Sequence, residues 1–315
     1  MIKPKALKFG DTLGVIAPAS PTSSEENVKK AHKKLMDMGF KVKMGKSCYE
    51  RYGYLAGTDD LRAADLNNMF RDKEVNGIIC LRGGYGTPRI LDLIDYKLIK
   101  NNPKVFIGYS DITALHIAIN QLSNLVTFHG PMVTSDIIGT FSEFSKDSLY
   151  NSVLYNGFNK TIKNPVGEEI KIINGGVAEG VIIGGNLSLI VATLGTPYEI
   201  RLKGKILFIE EIGEEPYRID RMLTQLRLSG KLHEAEGIIL GDFKNCIPKS
   251  PEPYDSLTLE QVIEDIIKPL NKPTLFNLKA GHCEPKVTLP FGVKARLDAD
   301  KGKLTLLERP VINNG

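Results

Sequence analysis

The sequence has little of what marks several classes of protein. Tryptophan is absent and aromatic residues make up only 7% of the 315 residues, so few side chains could stack on bases. The net charge is +4 and the lysines are scattered, which is not the pattern of a nucleic-acid-binding protein. No apolar run approaches the roughly 20 residues that span a bilayer. We therefore expect neither a nucleic-acid partner nor a membrane partner.

Cysteine is also scarce, and its spacing excludes two kinds of site. The four cysteines are far apart and include no C-x-x-C pair, which argues against a disulfide framework and against a zinc cluster. No H-x-x-x-H pair or similar ligand spacing is present, so we expect no metal and no other cofactor. No apolar segment of a secretory signal follows the basic N-terminal residues. Free thiols and the missing signal predict a cytoplasmic protein.

Short apolar runs alternate with segments of helical periodicity through the first 140 residues. Such alternation predicts βαβ units and a mostly parallel sheet, and so an N-terminal α/β domain of Rossmann or flavodoxin-like type. Ser23 stands three residues before Glu26, the spacing of a capping box, and predicts the start of the first helix. The predicted strands are residues 12–17, 40–44, 77–81, 105–109 and 125–128, and the predicted helices are 23–38, 59–70, 88–94 and 111–122.

A polar stretch divides the chain. Residues 142–167 are rich in Asn, Lys, Gly and Pro and lack a long apolar period, which is typical of a linker. We predict an N-terminal domain at 1–141, a linker at 142–167 and a second, β-rich α/β domain at 168–315. Its predicted strands are 177–183, 206–210 and 237–240, and its predicted helices are 186–194, 218–228 and 257–267.

One serine stands where a strand changes into a helix. The apolar run that ends at Gly108 and Tyr109 is followed by Ser110 and then by apolar residues at helical spacing. A sharp turn there would lift the hydroxyl clear of the sheet and aim the N–H groups of the helix N-terminus at whatever the serine attacks. An equally weighted alternative is that Ser110 only caps the helix.

A glycine-rich segment follows the neighbouring predicted strand. Residues 82–87 match neither the phosphate-binding G-x-x-x-x-G-K-[ST] pattern nor G-x-G-x-x-G, so nucleotide binding is disfavoured. Glycines let backbone N–H groups approach a substrate oxyanion without intervening side chains. We favour that role over a plain tight turn.

The other residue types that a serine nucleophile needs come later in the chain. Glu210 and Glu211 end a buried-type strand, and His282 lies in a loop between apolar runs. An imidazole can take the serine proton, and a carboxylate can fix its tautomer and stabilise its cation. Adjacent strand residues point to opposite faces, so only one of the two acids can meet His282, and we expect the other to tolerate an amide. His129, also at a predicted strand end, is an equally good base on these grounds.

Eight segments in the same order resemble the LD-carboxypeptidase family of serine peptidases, which includes murein tetrapeptide carboxypeptidases and microcin C self-immunity peptidases. The segments are residues 10–20, 55–62, 81–87, 107–113, 128–131, 184–188, 208–213 and 281–282. The resemblance implies that Ser110 is the nucleophile, Glu210 the acid and His282, rather than His129, the base. It also implies an oxyanion hole made by the backbone N–H groups of Gly84 and Asp111.

The resemblance therefore predicts a serine carboxypeptidase that cleaves an L,D amide bond of a murein tetrapeptide-like substrate. Hydrolysis of a microcin C-type peptidyl or aminoacyl nucleotide is the alternative within the same chemistry. We expect the protein to form a homodimer. We expect its binding partner to be a small peptide substrate. A non-catalytic small-molecule binding protein, with a Rossmann-like first domain, is the alternative from another class.

Overall fold

Six strands form the sheet of the first unit in the computed structural model, which describes residues 1–155, 158–250, 252 and 255–313. This unit comprises residues Met1–Asn159, Thr288–Gly292 and Arg309–Gly315. The sheet order is β2-β1-β3-β4-β5-β12, and all pairs are parallel except β12 with β5. The strands are β1 Thr12–Ile16, β2 Lys41–Met44, β3 Gly77–Cys80, β4 Val105–Gly108, β5 Thr127–His129 and β12 Leu289–Phe291.

Helices connect these strands as the alternating pattern predicts. Every residue of β3 and β4 is buried, which fits strands covered on both faces of a parallel sheet. The helices are α1 Glu25–Asp37, α2 Asp59–Arg71, α3 Tyr96–Asn101, α4 Thr113–Leu122 and α5 Glu143–Val153. A 3₁₀ segment, Thr87–Leu93, replaces the helix predicted at 88–94, and a π-helical turn covers Val133–Ile137.

The cap of the first helix differs by one residue from the prediction. Ser24, not Ser23, is the N-cap, and its hydroxyl accepts the backbone N–H of Asn27 at 3.3 Å. The hydroxyl of Ser23 instead accepts the side-chain amide of Asn27 at 2.8 Å. The two serines are adjacent and chemically alike, so spacing alone could not separate them.

The order β2-β1-β3-β4-β5 creates a switch point between β1 and β3, where successive connections diverge to opposite sides. In open α/β sheets, ligands bind outside the carboxyl ends of the strands at such a point. The loop that follows β1 and the glycine-rich loop that follows β3 meet there, since the backbone N–H of Ser20 bonds the carbonyl of Gly83 at 3.3 Å.

The second unit, Lys160–Val287 with Val293–Glu308, contains an eight-stranded sheet. Its order is β6-β14-β13-β8-β9-β10-β11-β7; the four strands from β8 to β11 are parallel and the outer pairs are antiparallel. The strands are β6 Thr161–Ile162, β7 Lys171–Asn174, β8 Val177–Asn186, β9 Lys205–Ile212, β10 Gly237–Lys244, β11 Thr274–Phe276, β13 Lys294–Asp298 and β14 Lys303–Leu306. The helices are α6 Leu187–Ala192, α7 Pro216–Leu228, α8 Lys231–Glu234 and α9 Leu259–Ile266.

These two sheets confirm the predicted fold class, a mostly parallel N-terminal sheet and a second, β-rich α/β part. The division at 1–141, 142–167 and 168–315 stays a prediction. Of the predicted linker, residues 156 and 157 lie outside the described residues, and the structure places α5 and β6 within the remainder. Within the described ranges no helix has both the length and the apolar character required to cross a membrane.

Candidate active site

Ser110 occupies a left-handed backbone conformation between β4 and α4. Its φ is +62°, and Tyr109 before it is fully extended. A non-glycine residue with positive φ is uncommon, and such strain concentrates at functional sites. The chain passes from strand to 3₁₀ turn, Ser110–Ile112, and then into α4. An ordinary N-cap has extended backbone instead, so the strand–turn–helix geometry is that of a nucleophile elbow.

The glycine-rich loop after β3 lies directly against this serine. A Cβ added to Gly83 would stand 3.2 Å from Ser110 Oγ, and one added to Gly84 would stand 2.3 Å from Ser20 Oγ. Gly84 has φ +113° and is exposed, whereas Gly83 is buried. A side chain is excluded at Gly84 and would crowd Ser110 at Gly83, and the structure brings the sequence-predicted loop and Ser110 together within the first unit.

Asp111, next to Ser110, is fully buried and holds the same loop. Its Oδ2 accepts the backbone N–H of Thr87 at 2.8 Å, while the Thr87 hydroxyl donates to the Asp111 carbonyl at 2.5 Å. Burial raises the pKa of Asp111 to about 6, and the bonds from Thr87 and Gly86 and the charge of Arg62 oppose that rise.

His129, the rival base, is packed as a wall of the first unit. Its side chain is buried, and its ring lies 5.3 Å from the ring of Phe291, 5.8 Å from that of Tyr109 and 6.3 Å from that of His116. His116 is buried too, which lowers its pKa to about 4, and its Nε2 bonds the carbonyl of Gly108 at 2.8 Å. Both rings thus lie among apolar and aromatic neighbours below the elbow.

Glu210 and His282 meet within the second unit. Oε2 of Glu210, at the end of β9, is 2.6 Å from Nδ1 of His282. Burial raises the pKa of Glu210, and the hydrogen bond and charge of His282 oppose that rise. Gly281 allows the approach, because its φ is +117° and a Cβ there would lie 2.6 Å from Glu210 Oε2. A carboxylate on Nδ1 is the pairing that orients an imidazole for proton transfer through Nε2 in acyl-transfer enzymes.

Glu211 has a different role from its neighbour. Its Oε1 accepts from the Asn186 amide and the Ile212 N–H at 2.8 and 2.9 Å, and its Oε2 accepts from the N–H and hydroxyl of Ser188 at 2.8 and 2.7 Å. The alternation of strand faces correctly predicts that only one acid meets His282. The expectation that activity tolerates an amide at Glu211 stays a prediction, and the four bonds indicate a separate role of this side chain in stability.

Sequence reasoning missed Ser20, Arg62 and Thr87, whose side chains hold the glycine-rich loop. The hydroxyl of Ser20 accepts the N–H of Tyr85 at 3.1 Å, and the guanidinium of Arg62 donates to the carbonyl of Gly86 at 2.9 Å. All three lie in segments that carry the resemblance, at 10–20, 55–62 and 81–87. The sequence offers no sign that an arginine on a helix is fully buried.

A serine elbow lies in the first unit and a carboxylate–imidazole pair lies in the second, which are the residue types that acyl transfer uses. Sequence profiles of the LD-carboxypeptidase N-terminal domain and C-terminal domain match residues 13–130 and 179–297. The chain belongs to the LD-carboxypeptidase family, which confirms the resemblance drawn from sequence, and it is a carboxypeptidase.

Relatives and solved structures agree with this membership. The chain is 50% identical over 298 residues to a Bacillus subtilis (strain 168) protein named "Probable murein peptide carboxypeptidase", covering 94% of this chain and 91% of that one. It is 28% identical to the microcin C7 self-immunity protein MccF of Escherichia coli, over 96% and 95% of the two chains. The crystal structure of muramoyltetrapeptide carboxypeptidase from Oxalobacter formigenes superposes with a TM-score of 0.80 at 29% identity, covering 94% and 97% of the chains.

The four bonds of Glu211 predict unequal stability for two amide variants. Gln offers one N–H₂ group where Glu211 accepts from four donors, so Glu211→Gln should lose about 2–3 kcal/mol of unfolding free energy. Glu210→Gln should lose much less, because it removes a charge whose burial is unfavourable. Urea denaturation of both variants at pH 7.5 measures the difference. Equal midpoints, or a less stable Glu210→Gln, would contradict the assignment of the two acids.

The raised pKa of Asp111 predicts an unusual pH dependence. A carboxyl whose pKa is higher in the folded state than in the unfolded state takes up its proton first when folded, so its contribution to stability improves as pH falls through about 6. Between pH 8 and pH 5 the gain is about 1.4 kcal/mol, from a rise of the pKa from 3.8 to about 6.

Asparagine at position 111 cannot take up this proton. The unfolding free energy of Asp111→Asn minus that of wild type should therefore be about 1.4 kcal/mol lower at pH 5 than at pH 8. Urea denaturation at both pH values measures it, with Asp92→Asn, at an exposed site, as the control. A stability difference between wild type and Asp111→Asn that is the same at both pH values refutes the prediction.

Proposed function

We propose that the protein is a serine carboxypeptidase that cleaves the L,D amide bond of murein tetrapeptide-like substrates through Ser110, His282 and Glu210. The observation that carries the proposal is the left-handed conformation of Ser110 at the strand–helix elbow, against Gly83 and Gly84. The hydrogen bond between Glu210 and His282 supports the other half of the triad.

In the proposed mechanism Ser110 Oγ attacks the carbonyl carbon of the scissile amide while Nε2 of His282 takes its proton. The tetrahedral oxyanion accepts hydrogen bonds from the N–H groups of Gly84 and Asp111. Nε2 then gives the proton to the leaving amine, the C–N bond breaks and an acyl-serine remains. Water, deprotonated by the same imidazole, releases the acid product and restores Ser110. Glu210 holds Nδ1–H and stabilises the imidazolium throughout.

The substrate class rests on the relatives. The Bacillus subtilis relative, 50% identical, is named for murein peptide, whereas the relative named for microcin C7 self-immunity is 28% identical. We therefore favour a murein peptide, and a peptidyl or aminoacyl nucleotide is the second candidate. Incubation with murein tetrapeptide and, separately, with aspartyl sulfamoyl adenosine, followed by mass spectrometry, distinguishes them. Release of the C-terminal residue from the tetrapeptide supports the proposal, and exclusive cleavage of the nucleotide conjugate overturns the substrate assignment.

A cytoplasmic location is part of the proposal. All four cysteines, Cys48, Cys80, Cys246 and Cys283, carry free thiols, as is usual for proteins of a reducing compartment. Recycled murein peptides would be met there. The expected homodimeric state stays a prediction.

Triad members act as a unit, which predicts non-additive losses. Ser110→Ala and His282→Ala should each lower kcat by several orders of magnitude, and the double variant should be scarcely worse than either. Glu210→Gln should lower kcat by about 10⁴-fold, since an amide can hold the wrong imidazole tautomer. Steady-state kinetics with tetrapeptide measure these changes, and His129→Gln is the comparison. A dead His129 variant beside an active His282 variant would show that the wrong base was chosen.

A serine mechanism also predicts two chemical responses. A fluorophosphonate should label wild type but not Ser110→Ala, whereas a capping serine in a binding protein would not react. Activity should survive prolonged EDTA treatment, because acyl transfer through Ser110 needs no metal. The described residues contain no group of three or more His, Cys, Asp or Glu suited to a metal ion. Loss of turnover that zinc restores would overturn the serine assignment.

A further inference from the structure

The two candidate oxyanion donors stand on different loops. The N–H of Gly84 belongs to the loop after β3, and the N–H of Asp111 belongs to the elbow after β4. An oxyanion hole works only if both donors lie about 2.7–3.1 Å from the developing charge. Something must therefore fix the glycine-rich loop relative to the elbow.

Arg62 on α2 makes the contact that fixes one side of this loop. Its side chain is fully buried, and Nη1 donates to the carbonyl of Gly86 at 2.9 Å and to the carbonyl of Pro18. Pro18 belongs to the loop after β1 and Gly86 to the loop after β3, so a single guanidinium joins the loops on both sides of the switch point. Nη2 donates to Asp59, which also binds Arg89.

Asp111 holds the same peptide group from its other end. The carbonyl of Gly86 and the N–H of Thr87 belong to one planar peptide. Arg62 binds its oxygen at 2.9 Å and the carboxylate of Asp111 binds its N–H at 2.8 Å. The hydroxyl of Thr87 adds a third bond, to the backbone carbonyl of Asp111. The peptide is thereby fixed in position and in orientation.

Glycine at position 86 allows Arg62 to approach the Gly86–Thr87 peptide closely enough to bond it. Its φ is +139°, and a Cβ there would lie 2.7 Å from Nη1 of Arg62. Lysine could not replace the arginine, because a single ammonium lacks the planar fork that serves Pro18, Gly86 and Asp59 together.

We propose that Arg62 is a positioning residue for acyl transfer, which sets the spacing between the N–H groups of Gly84 and Asp111 through the Gly86–Thr87 peptide. The inference rests on the proposed function. Arg62 itself does not touch the reacting atoms. Its loss should therefore weaken binding of the oxyanion in the transition state while leaving substrate binding nearly unchanged.

The test compares Arg62→Lys with Arg89→Lys. Arg89 is exposed, and the hydrogen bonds described for its side chain all go to Asp59, which it shares with Arg62. Its backbone N–H bonds the carbonyl of Gly86 at 3.2 Å, and Arg89→Lys keeps that bond, so this variant controls for the ion pair alone. Arg62→Lys should lower kcat by about 10²-fold, the effect of losing one oxyanion donor, with KM within about threefold of wild type. Its rate of phosphonylation by fluorophosphonate, in which Oγ of Ser110 displaces fluoride from phosphorus, should fall in parallel. Arg89→Lys should match wild type in both assays.

Circular dichroism and thermal melts show whether Arg62→Lys is folded at the assay temperature. A folded Arg62→Lys with wild-type kcat and a wild-type phosphonylation rate overturns the inference. A loss of activity that is fully accounted for by the unfolded fraction also overturns it. If Arg62→Lys does not fold, Thr87→Val decides instead, because it removes only the bond to the Asp111 carbonyl. Lower kcat in Thr87→Val, restored in Thr87→Ser, supports the inference, and unchanged kcat refutes it.

The two proposals fail in different ways. If wild type neither hydrolyses tetrapeptide nor reacts with fluorophosphonate, the proposed function fails and the inference fails with it. If wild type does both and Arg62→Lys is equally active, only the role of Arg62 is refuted.

Discussion

The neighbouring parts of the first unit are arranged around the left-handed backbone conformation of Ser110. A residue with a side chain adopts φ of +62° only when its surroundings hold it there. The surroundings here are β4 below, the turn into α4 above, and the glycine-rich loop at van der Waals distance. Glycine is required at 84 because a Cβ there would collide with Ser20, and at 83 a Cβ would crowd Ser110. The strained backbone of Ser110 and the glycines of the neighbouring loop therefore both follow from the close packing of the elbow against that loop.

Three buried acidic side chains make different interactions because their surroundings differ, although all three are carboxyl groups. Glu210 faces an imidazole, Glu211 accepts four hydrogen bonds within the second unit, and Asp111 binds a peptide N–H beside the elbow. None is balanced by a close lysine or arginine salt bridge among the described ion pairs. Hydrogen-bond donors replace solvent instead, and the pKa of Asp111 and of Glu210 is raised by burial despite them.

The fold and the elbow could be predicted because their signals are local. Alternating apolar runs predict parallel strands, and an apolar run that ends before Ser110 predicts the turn. The roles of Glu211 and Arg62 could not be predicted, because they depend on partners far away in sequence: Glu211 binds Asn186 and Ser188, and Arg62 binds Pro18 and Gly86. The one-residue error at Ser23 has another cause, since neighbouring serines compete for one cap and only the backbone path decides. The pairing of His282 with Glu210, by contrast, came from the family resemblance and not from the pattern.

The edge strand β12 has a consequence for biosynthesis. The sheet that carries Ser110 is completed by residues 289–291, which pair with β5, yet all of 160–287 belongs to the second unit. A ribosome must therefore synthesise most of the second unit before the first can close its sheet. The first unit includes residues on both sides of the second unit in the sequence. Its sheet therefore cannot be completed before most of the second unit has been synthesised. A nascent chain would carry Ser110 long before the sheet beside it is complete, so the elbow reaches its final surroundings only when the polypeptide is nearly made.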